Sequence, residues 1–357
     1  MNRRDVGFRF GVVVAAAAAM VVAGSMVVAG SAQAGVLPAT DGTAPWGNSY
    51  ALGYAAGELY LHTGNSIYLV DDADRDAIGF EPRVTGLEDA FPGERRWFEG
   101  GFATTPNGQA MVSMGLSRGV LRVDLTAGTA QPVPALDDEN IYSLAGAGGG
   151  HFYAMWADPD WVAPTSFTRV YHVGPDDERT FAFDPAEGDF SGPMAFGGEG
   201  DLIVATFASR GDGTPLGTNR FFRVAAAELE AFEAGSDGPE VELIGELEDV
   251  NGASSLIVDR DGVIFFNTTT GIGYFDPLTG QGGAFRGDIA DLGLWDYERT
   301  PFDALAYDAS RHELAYAVHE ADAQAYRLTY TVIPEPTSAA MIVAAAGLVM
   351  LRRRGGG

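Results

Sequence analysis

Cysteine and lysine are both absent from this chain. The lack of cysteine excludes disulfides, thiolate metal sites and a cysteine nucleophile, so stability has to come from a packed core. With no lysine, all 22 basic residues are arginine, and 49 acidic residues outweigh them to a net charge of −27. A surface of that sign repels phosphate backbones and anionic lipid, which excludes nucleic acid as a partner. It suits divalent cations or plain solubility, and a solvated acidic exterior is the simpler reading. Catalytic signatures are scarce as well: the chain has no HExxH, no P-loop and no GxGxxG following a strand. Long apolar runs are confined to its two ends.

What the chain does have is glycine and aromatic residues. Its 357 residues include 48 Gly, 18 Pro, 5 Trp, 13 Tyr and 21 Phe. That composition favours many short strands joined by turns over long helices, and so many aromatics argue against disorder. A hydrophobic fraction of 46% is ample for a buried core.

The N-terminal end reads as an export leader. Residues 1–10 carry Arg3, Arg4 and Arg9, residues 11–30 carry no charge, and Ala32-Gln33-Ala34 gives the small-x-small pattern that signal peptidase reads. A signal peptide over 1–34 with a new N-terminus at Gly35 is expected. The apolar run could span a bilayer as an uncleaved anchor, but its many Ala and Gly make it only mildly hydrophobic, so cleavage is preferred. The Arg3-Arg4 pair is a weak match to a twin-arginine signal.

The other end is more specific. Pro334-Glu335-Pro336 is followed by an apolar stretch over 339–351 and then by Arg352, Arg353 and Arg354. The prolines hold the approach extended and cannot propagate a helix; the arginines fix the end of the apolar stretch on the cytoplasmic side. Residues 339–351 would make roughly 20 Å of helix against a hydrocarbon core of ~30 Å, which suits a transient insertion better than a permanent anchor. This order of parts resembles the PEP-CTERM sorting signal over residues 333–357, with Ile333 where Val is usual and a trailing Gly355-Gly356-Gly357 as departures. The resemblance implies recognition by an exosortase-type membrane enzyme and removal of the tail. It also implies delivery to the outer membrane, cell surface or extracellular matrix, where exopolysaccharide and other surface components are the expected partners. An ordinary C-terminal anchor is the alternative.

Residues 35–332 form one repeat domain. Without the six terminal arginines, Asp5 and Glu335, it holds 16 arginines against 47 acidic residues, a balance of −31. Its unit is an apolar strand, a Gly- or Asp-containing turn, an aromatic-rich strand, a gap and a third strand, and it is clearest over 253–286. Hairpin markers fall at Gly57, Gly108, Gly150, Gly200, Gly262 and His312, at intervals of 51, 42, 50, 62 and 50. The long interval contains residues 225–232, which read as an inserted helical turn or two. Four strands per roughly 40–50 residues is the propeller pattern. Runs such as Val263-Ile264-Phe265-Phe266 are apolar at consecutive positions, as strands covered on both faces should be. The expected fold is therefore all-β, a β-propeller of six four-stranded blades. An open stack or a two-layer sandwich is the alternative. The sixth unit lacks a fourth strand of its own, and residues 36–48 are the candidate to supply it from the N-terminal side.

Chemistry is sparse. His62, His151, His172, His312 and His319 are scattered, and turn packing explains His312 and His319 better than metal ligation. Asp72, Asp74 and Asp76 imitate the start of an EF-hand loop, but Ala77 and Arg83 stand where Gly and the bidentate Glu belong. One constellation is suited to Ca2+. Glu99, Glu139, Asn140, Asp189, Asn251 and Asp303 precede or open innermost strands, and hard oxygen donors converging on a channel mouth fit Ca2+ coordination. The positions resemble, in residue type alone, the arrangement of six-bladed lactonase-type hydrolases, in which Ca2+ polarises a carbonyl and orients water. Glu99, Asn140, Asn251 and Asp303 are the metal candidates; a preference of Asn and Asp for turns is the plainer account. Two functions follow. One is a non-enzymatic surface or matrix propeller, with Trp156, Trp161 and Trp295 as candidates for stacking on sugar rings and a core position preferred for Trp156. The other is a Ca2+-dependent hydrolase at the channel mouth. The first is preferred, because the tail implies it directly.

Overall fold

The computed structural model describes residues 32–38, 50–75, 77–90, 101–113, 119–137, 139–156, 168–209, 215–248, 252–268, 271–287, 302–320 and 325–334. Ser31–Val332 forms one compact unit; Met1–Gly30 and Ile333–Gly357 form another, of which only Ile333 and Pro334 are described. The leader before Ala32 therefore lies outside the described residues. So does the tail from Glu335 on, with Pro336 and Arg352, Arg353 and Arg354. Among the described residues no helix is long and apolar enough to cross a membrane.

The Ser31–Val332 unit is an all-β propeller of six four-stranded antiparallel sheets. A strand from the N-terminal side, β1 (Ala32–Val36), belongs to the last of them. Blade one is β2 (Ala51–Ala55), β3 (Glu58–Thr63), β4 (Ser66–Asp71) and β5 (Gly79–Thr85). Blade two is β6 (Phe102–Thr104), β7 (Gln109–Ser113), β8 (Val120–Asp124) and β9 (Thr129–Pro132). Blade three is β10 (Ile141–Gly146), β11 (Phe152–Trp156), β12 (Val170–Val173) and β13 (Arg179–Phe183). Blade four is β14 (Phe190–Phe196), β15 (Leu202–Ser209), β16 (Pro215–Val224) and β17 (Glu242–Glu248), with helix α1 (Ala226–Glu233) inserted before its last strand. Blade five is β18 (Ser255–Val258), β19 (Ile264–Asn267), β20 (Gly271–Asp276) and β21 (Gln281–Gly287). Blade six is β22 (Phe302–Asp308), β23 (Glu313–Glu320) and β24 (Ala325–Val332), completed by β1. The first strands β2, β6, β10, β14, β18 and β22 neighbour one another in cyclic order, and β22 returns to β2, so the ring is closed.

The hairpin markers show why the repeat was readable. Gly57, Gly108, Gly150, Gly200 and Gly262 all sit at φ between 82° and 86°, in the left-handed region that a Cβ disfavours. The sixth position, His312, adopts φ 53° despite its side chain. The expected helix in the long interval is α1, held by buried Leu229 and Phe232 and started by the Ala226 N–H donating to Asp201 at 2.9 Å. The closing strand differs from expectation. It runs over Ala32–Val36, pairing Ala32 with Tyr330, Gln33 with Thr329 and Val36 with Arg327, while Leu37 N–H reaches Tyr326 O at 2.9 Å. Of the described residues in the expected 36–48 segment, Val36 ends this strand and Leu37 extends its pairing by that one bond. The reason is that β24 offers a free backbone edge, and small residues pair with such an edge without any apolar pattern of their own.

Second strands are buried on both faces: β11 is buried from Phe152 to Met155 and β19 throughout. The cores lie between blades. Leu59, Leu61 and Val70 of blade one pack with Ala315, Leu328 and Tyr330 of blade six. Phe221 of blade four stacks on Phe275 of blade five at 5.0 Å and 8° between planes, with Phe266 at 5.4 Å. This seam depends on a missing side chain. A Cβ on Gly245 of β17 would lie 2.1 Å from Cζ of Phe275. Gly245→Ala is therefore expected to destabilise by about 1–3 kcal/mol through overpacking, visible as a lower urea midpoint with unchanged slope.

Polar bonds stitch the same seams. Thr104 Oγ1 donates to Tyr54 O at 2.7 Å, Ser113 Oγ to Ile141 O, Ser191 Oγ to Trp156 O at 2.8 Å, and Ala253 N–H to Asn219 Oδ1 at 3.1 Å. Between blades six and one, Arg75 pairs with Glu313 at 2.7 Å and lies 3.2 Å above the Tyr330 ring, and Arg311 reaches Asp72 at 3.1 Å. Asp72 thus belongs to this ion-pair network between blades, in keeping with an acidic hairpin.

Candidate functional site

Strand direction alternates, so the ring has two chemically distinct faces. The approaches to the first strands and the loops from second to third strands share one face. The hairpins from first to second strands and the turns from third to fourth share the other. The described members of the sequence-predicted oxygen-donor set belong to the first of these.

Of that set, Glu99 and Asn251 lie outside the described residues, as does the side chain of Asp303. Asn140 is buried at the start of β10. Glu139 is paired with Arg179. Asp189 is 2% exposed, and both its oxygens are engaged: Arg220 Nη1 approaches them at 3.0 and 3.2 Å, and Thr206 Oγ1 donates to Oδ2 at 2.7 Å. Arg220 also holds Glu246 at 2.8 Å. Glu139 and Asp189, the described carboxylates of that set, are therefore already paired with the chain's own arginines. The backbone here is irregular in three blades, with register shifts between Ile141 and Ser143, between Ser191 and Met194, and between Asp303 and Leu305, the last with Ala304 at φ 54°. Such bulges re-aim side chains at the rim of a closed sheet array. Trp156 is half-buried against the core of blades two and three, with Arg169 5.7 Å over its ring; Trp161 and Trp295 lie outside the described residues.

The opposite face gathers groups that the sequence left scattered. His312 is 4% exposed; its Nδ1 lies 2.8 Å from the Tyr307 hydroxyl, and its Nε2 faces Asp261 at 3.9 Å. Asp259 is 2% exposed and takes the N–H groups of Asp261 and Val263 on Oδ1, both at 2.9 Å. Burial pushes its carboxyl above the usual range, against those two hydrogen bonds.

A second group joins blades three and four. His151 immediately precedes β11, His172 lies in β12, and Glu233 ends α1. His151 Nδ1 is 2.9 Å from His172 Nε2, which is 3.8 Å from Glu233 Oε1. Tyr153 donates its hydroxyl to that same Oε1 at 2.9 Å, and burial followed by the charge of Glu233 raises the phenol well above its ordinary value. The rings are layered, with His151 stacked 5.1 Å from His172 and Phe232 edge-on at 5.9 Å. Both Asp259-Asp261-His312 and His151-His172-Glu233 bring three donor atoms within 4.8 Å of one another. The second has two nitrogens and one oxygen, the donor set suited to zinc and its neighbours. Sequence reasoning missed it, although the register held a signal: His172 pairs across from Tyr153, two residues beyond His151 and three beyond the hairpin marker Gly150.

Desolvation lowers the His172 pKa from its ordinary 6.5, with Glu233 opposing and His151 adding to the effect. Unfolded, the imidazole gains a proton as pH falls through about 6.5, while the folded one resists. The unfolded state then binds more protons, so stability falls with pH. The protein is expected to lose stability from pH 7.5 to 5.5 more steeply than His172→Gln, and urea midpoints at the two pH values check it. Equal losses would contradict it. Asp259 acts with the opposite sign: its raised carboxyl binds a proton more readily when folded, so its contribution fades as pH rises.

No family model and no curated sequence matches the chain. Solved structures share its fold. XC5397, a gluconolactonase from Xanthomonas campestris, is 14% identical with a TM-score of 0.52, over 85% of this chain and 98% of that one. The calcium-binding protein regucalcin from Agrobacterium tumefaciens is 13% identical at 0.51, over 86% and 96%. A chain of a nidogen/laminin complex is 11% identical at 0.50, over 73% and 85%. At these identities the likeness carries the propeller architecture alone.

Proposed function

We propose that this chain is an exported surface or extracellular-matrix protein whose propeller serves as a binding or structural scaffold, delivered by an exosortase-type sorting system. The observation that carries the reading is the order of parts in the sequence. A leader with a basic start and a charge-free stretch over residues 11–30 ends in Ala32-Gln33-Ala34, and Pro334-Glu335-Pro336, an apolar stretch and Arg352-Arg353-Arg354 follow the last strand of the ring. Signal peptidase and the exosortase-type enzyme are its processing partners. Exopolysaccharide is the proposed environment, one in which an acidic exterior stays soluble. The test is fractionation of the native host followed by mass spectrometry of both chain ends. The wild type is expected at the surface without residues beyond the sorting motif, whereas a Pro334→Ala/Glu335→Ala/Pro336→Ala variant stays in the inner-membrane fraction with its tail intact. Identical distribution and identical ends for the two proteins would end the proposal.

A Ca2+-dependent hydrolase at the connecting-loop mouth is the competing reading. It would require Glu99, Asn140, Asn251 and Asp303 to hold Ca2+ beside carboxylates that Arg179 and Arg220 already neutralise. Thermal melts with Ca2+ and with EGTA separate the two. The scaffold reading expects coincident curves. A Tm raised by Ca2+ and lowered to the EGTA value by Asp303→Ala would establish the hydrolase site's metal.

A further inference from the structure

We propose that His151, His172 and Glu233 together bind a divalent transition-metal ion of the zinc class, and that this ion ties the inserted helix of blade four to blade three. The site lies on the hairpin face, away from the connecting-loop mouth, and does not depend on how the protein is sorted.

Spacing comes first. Ligands held at ~2.0 Å by a tetrahedral zinc ion stand roughly 3.3 Å from one another. Two of the separations, 2.9 Å from His151 Nδ1 to His172 Nε2 and 3.8 Å from His172 Nε2 to Glu233 Oε1, straddle that value. The three residues come from a hairpin, a strand and a helix, so the fold brings them together rather than a local turn.

Supporting groups are also in place. The Tyr153 hydroxyl donates to Glu233 Oε1 at 2.9 Å and fixes the carboxylate that would ligate, the kind of outer contact that orients metal ligands. His172 is 7% exposed, its ring packed against those of His151 and Phe232, so one ligand is fixed in place by the core. Gly149 and Gly150 both adopt positive φ in the turn that delivers His151, and the Gly149 Cα faces the His151 ring where a Cβ would lie 3.4 Å from Cδ2. His151 and Glu233 remain partly open to solvent, which leaves a route for the ion and a coordination position for water. Two nitrogen donors and a single carboxylate are a poor set for Ca2+, which takes six to eight oxygens.

The alternative is a hydrogen-bonded chain running Tyr153–Glu233–His172–His151 with no ion. The full-length protein, purified in mild detergent and stripped with chelator, is dialysed against ZnCl2 with excess Mg2+ to suppress weak binding by the acidic surface. Bound zinc is measured by elemental analysis and Tm by calorimetry. His151→Ala and Glu233→Gln are the variants, both on the solvent side of the cluster and the second isosteric. The expected result is one zinc per chain and, at 100-fold excess over Kd, a Tm rise of about 5–10 °C. Each variant should weaken binding at least about tenfold and lose the rise. Zinc binding that is undetectable in the wild type, or equal in wild type and both variants, would leave only the hydrogen-bonded chain and overturn the proposal.

Discussion

A chain shortened to begin at Leu37 is expected to lose about 4 kcal/mol of stability and to aggregate when its parent does not. The estimate follows from β1. Its backbone pairs with Tyr330, Thr329 and Arg327 of β24, and each such hydrogen bond contributes about 0.5–1.5 kcal/mol net. Removing it also turns the eight residues Ala325–Val332 into an open edge, the usual template for intermolecular pairing. Chains beginning at Ser31, Gly35 and Leu37 make a graded series. A cut after Ala34 removes two of the three registered pairs and keeps Val36 with the Leu37 N–H bond to Tyr326 O. The Gly35 chain should therefore melt between the other two. Urea midpoints together with light scattering read the result; three coincident midpoints would show that β1 does not hold the ring. The series also bears on export, because a mature N-terminus at or before Ala32 preserves the whole strand.

Arg122→Ala is expected to cost about 3 kcal/mol, more than any other single arginine described. Arg122 is 8% exposed in β8 and spans the seam from blade two to blade three. It donates to Asp177 Oδ1 at 2.7 Å, Gly150 O at 2.9 Å and Gly174 O at 2.8 Å, with its guanidinium 5.1 Å over the Phe152 ring. Alanine would leave two buried carbonyls and a partly buried carboxylate without their donor, and stranded partners account for most of such losses. Lysine should recover only part, since an ammonium cannot reach three acceptors in fixed directions. Arg223→Ala is the control. Its pair with Glu242 is solvent-exposed, 44% and 58% by side chain, and should contribute less than about 1 kcal/mol. Chemical denaturation of the three variants ranks them; an Arg122→Ala loss no greater than that of Arg223→Ala would refute the account.

These two elements also mark where sequence was and was not sufficient. Blade count and strand order were legible because the repeat is written in backbone requirements. A left-handed hairpin residue recurs from Gly57 to Gly262, and doubly covered strands such as Ile264–Asn267 need apolar residues on consecutive positions. The closing strand was placed too late in the sequence. Ala32–Val36 is Ala, Gln, Ala, Gly and Val, which has no alternation to detect and coincides with a peptidase pattern; its partner β24 supplies the reason for pairing. The histidine cluster was invisible for a related reason. His151, His172 and Glu233 meet only through the register of β11 on β12 and the position of an inserted helix, both long-range facts. At the channel mouth the residue types were noticed but their partners were not, because Arg220 and Arg179 reach Asp189 and Glu139 from other strands.

The placement of the cores between blades has a thermodynamic corollary. A sheet taken from the ring carries half of two cores and the whole of neither, as the joint packing of blade-one and blade-six residues illustrates. In linear repeat arrays a terminal unit can melt while the remainder persists. A ring whose last partner comes from the beginning of the chain has no terminal unit, so Ser31–Val332 should melt in a single calorimetric transition, with van't Hoff and measured enthalpies in agreement. Deleting any one blade should then abolish folding of the other five, not shorten the array.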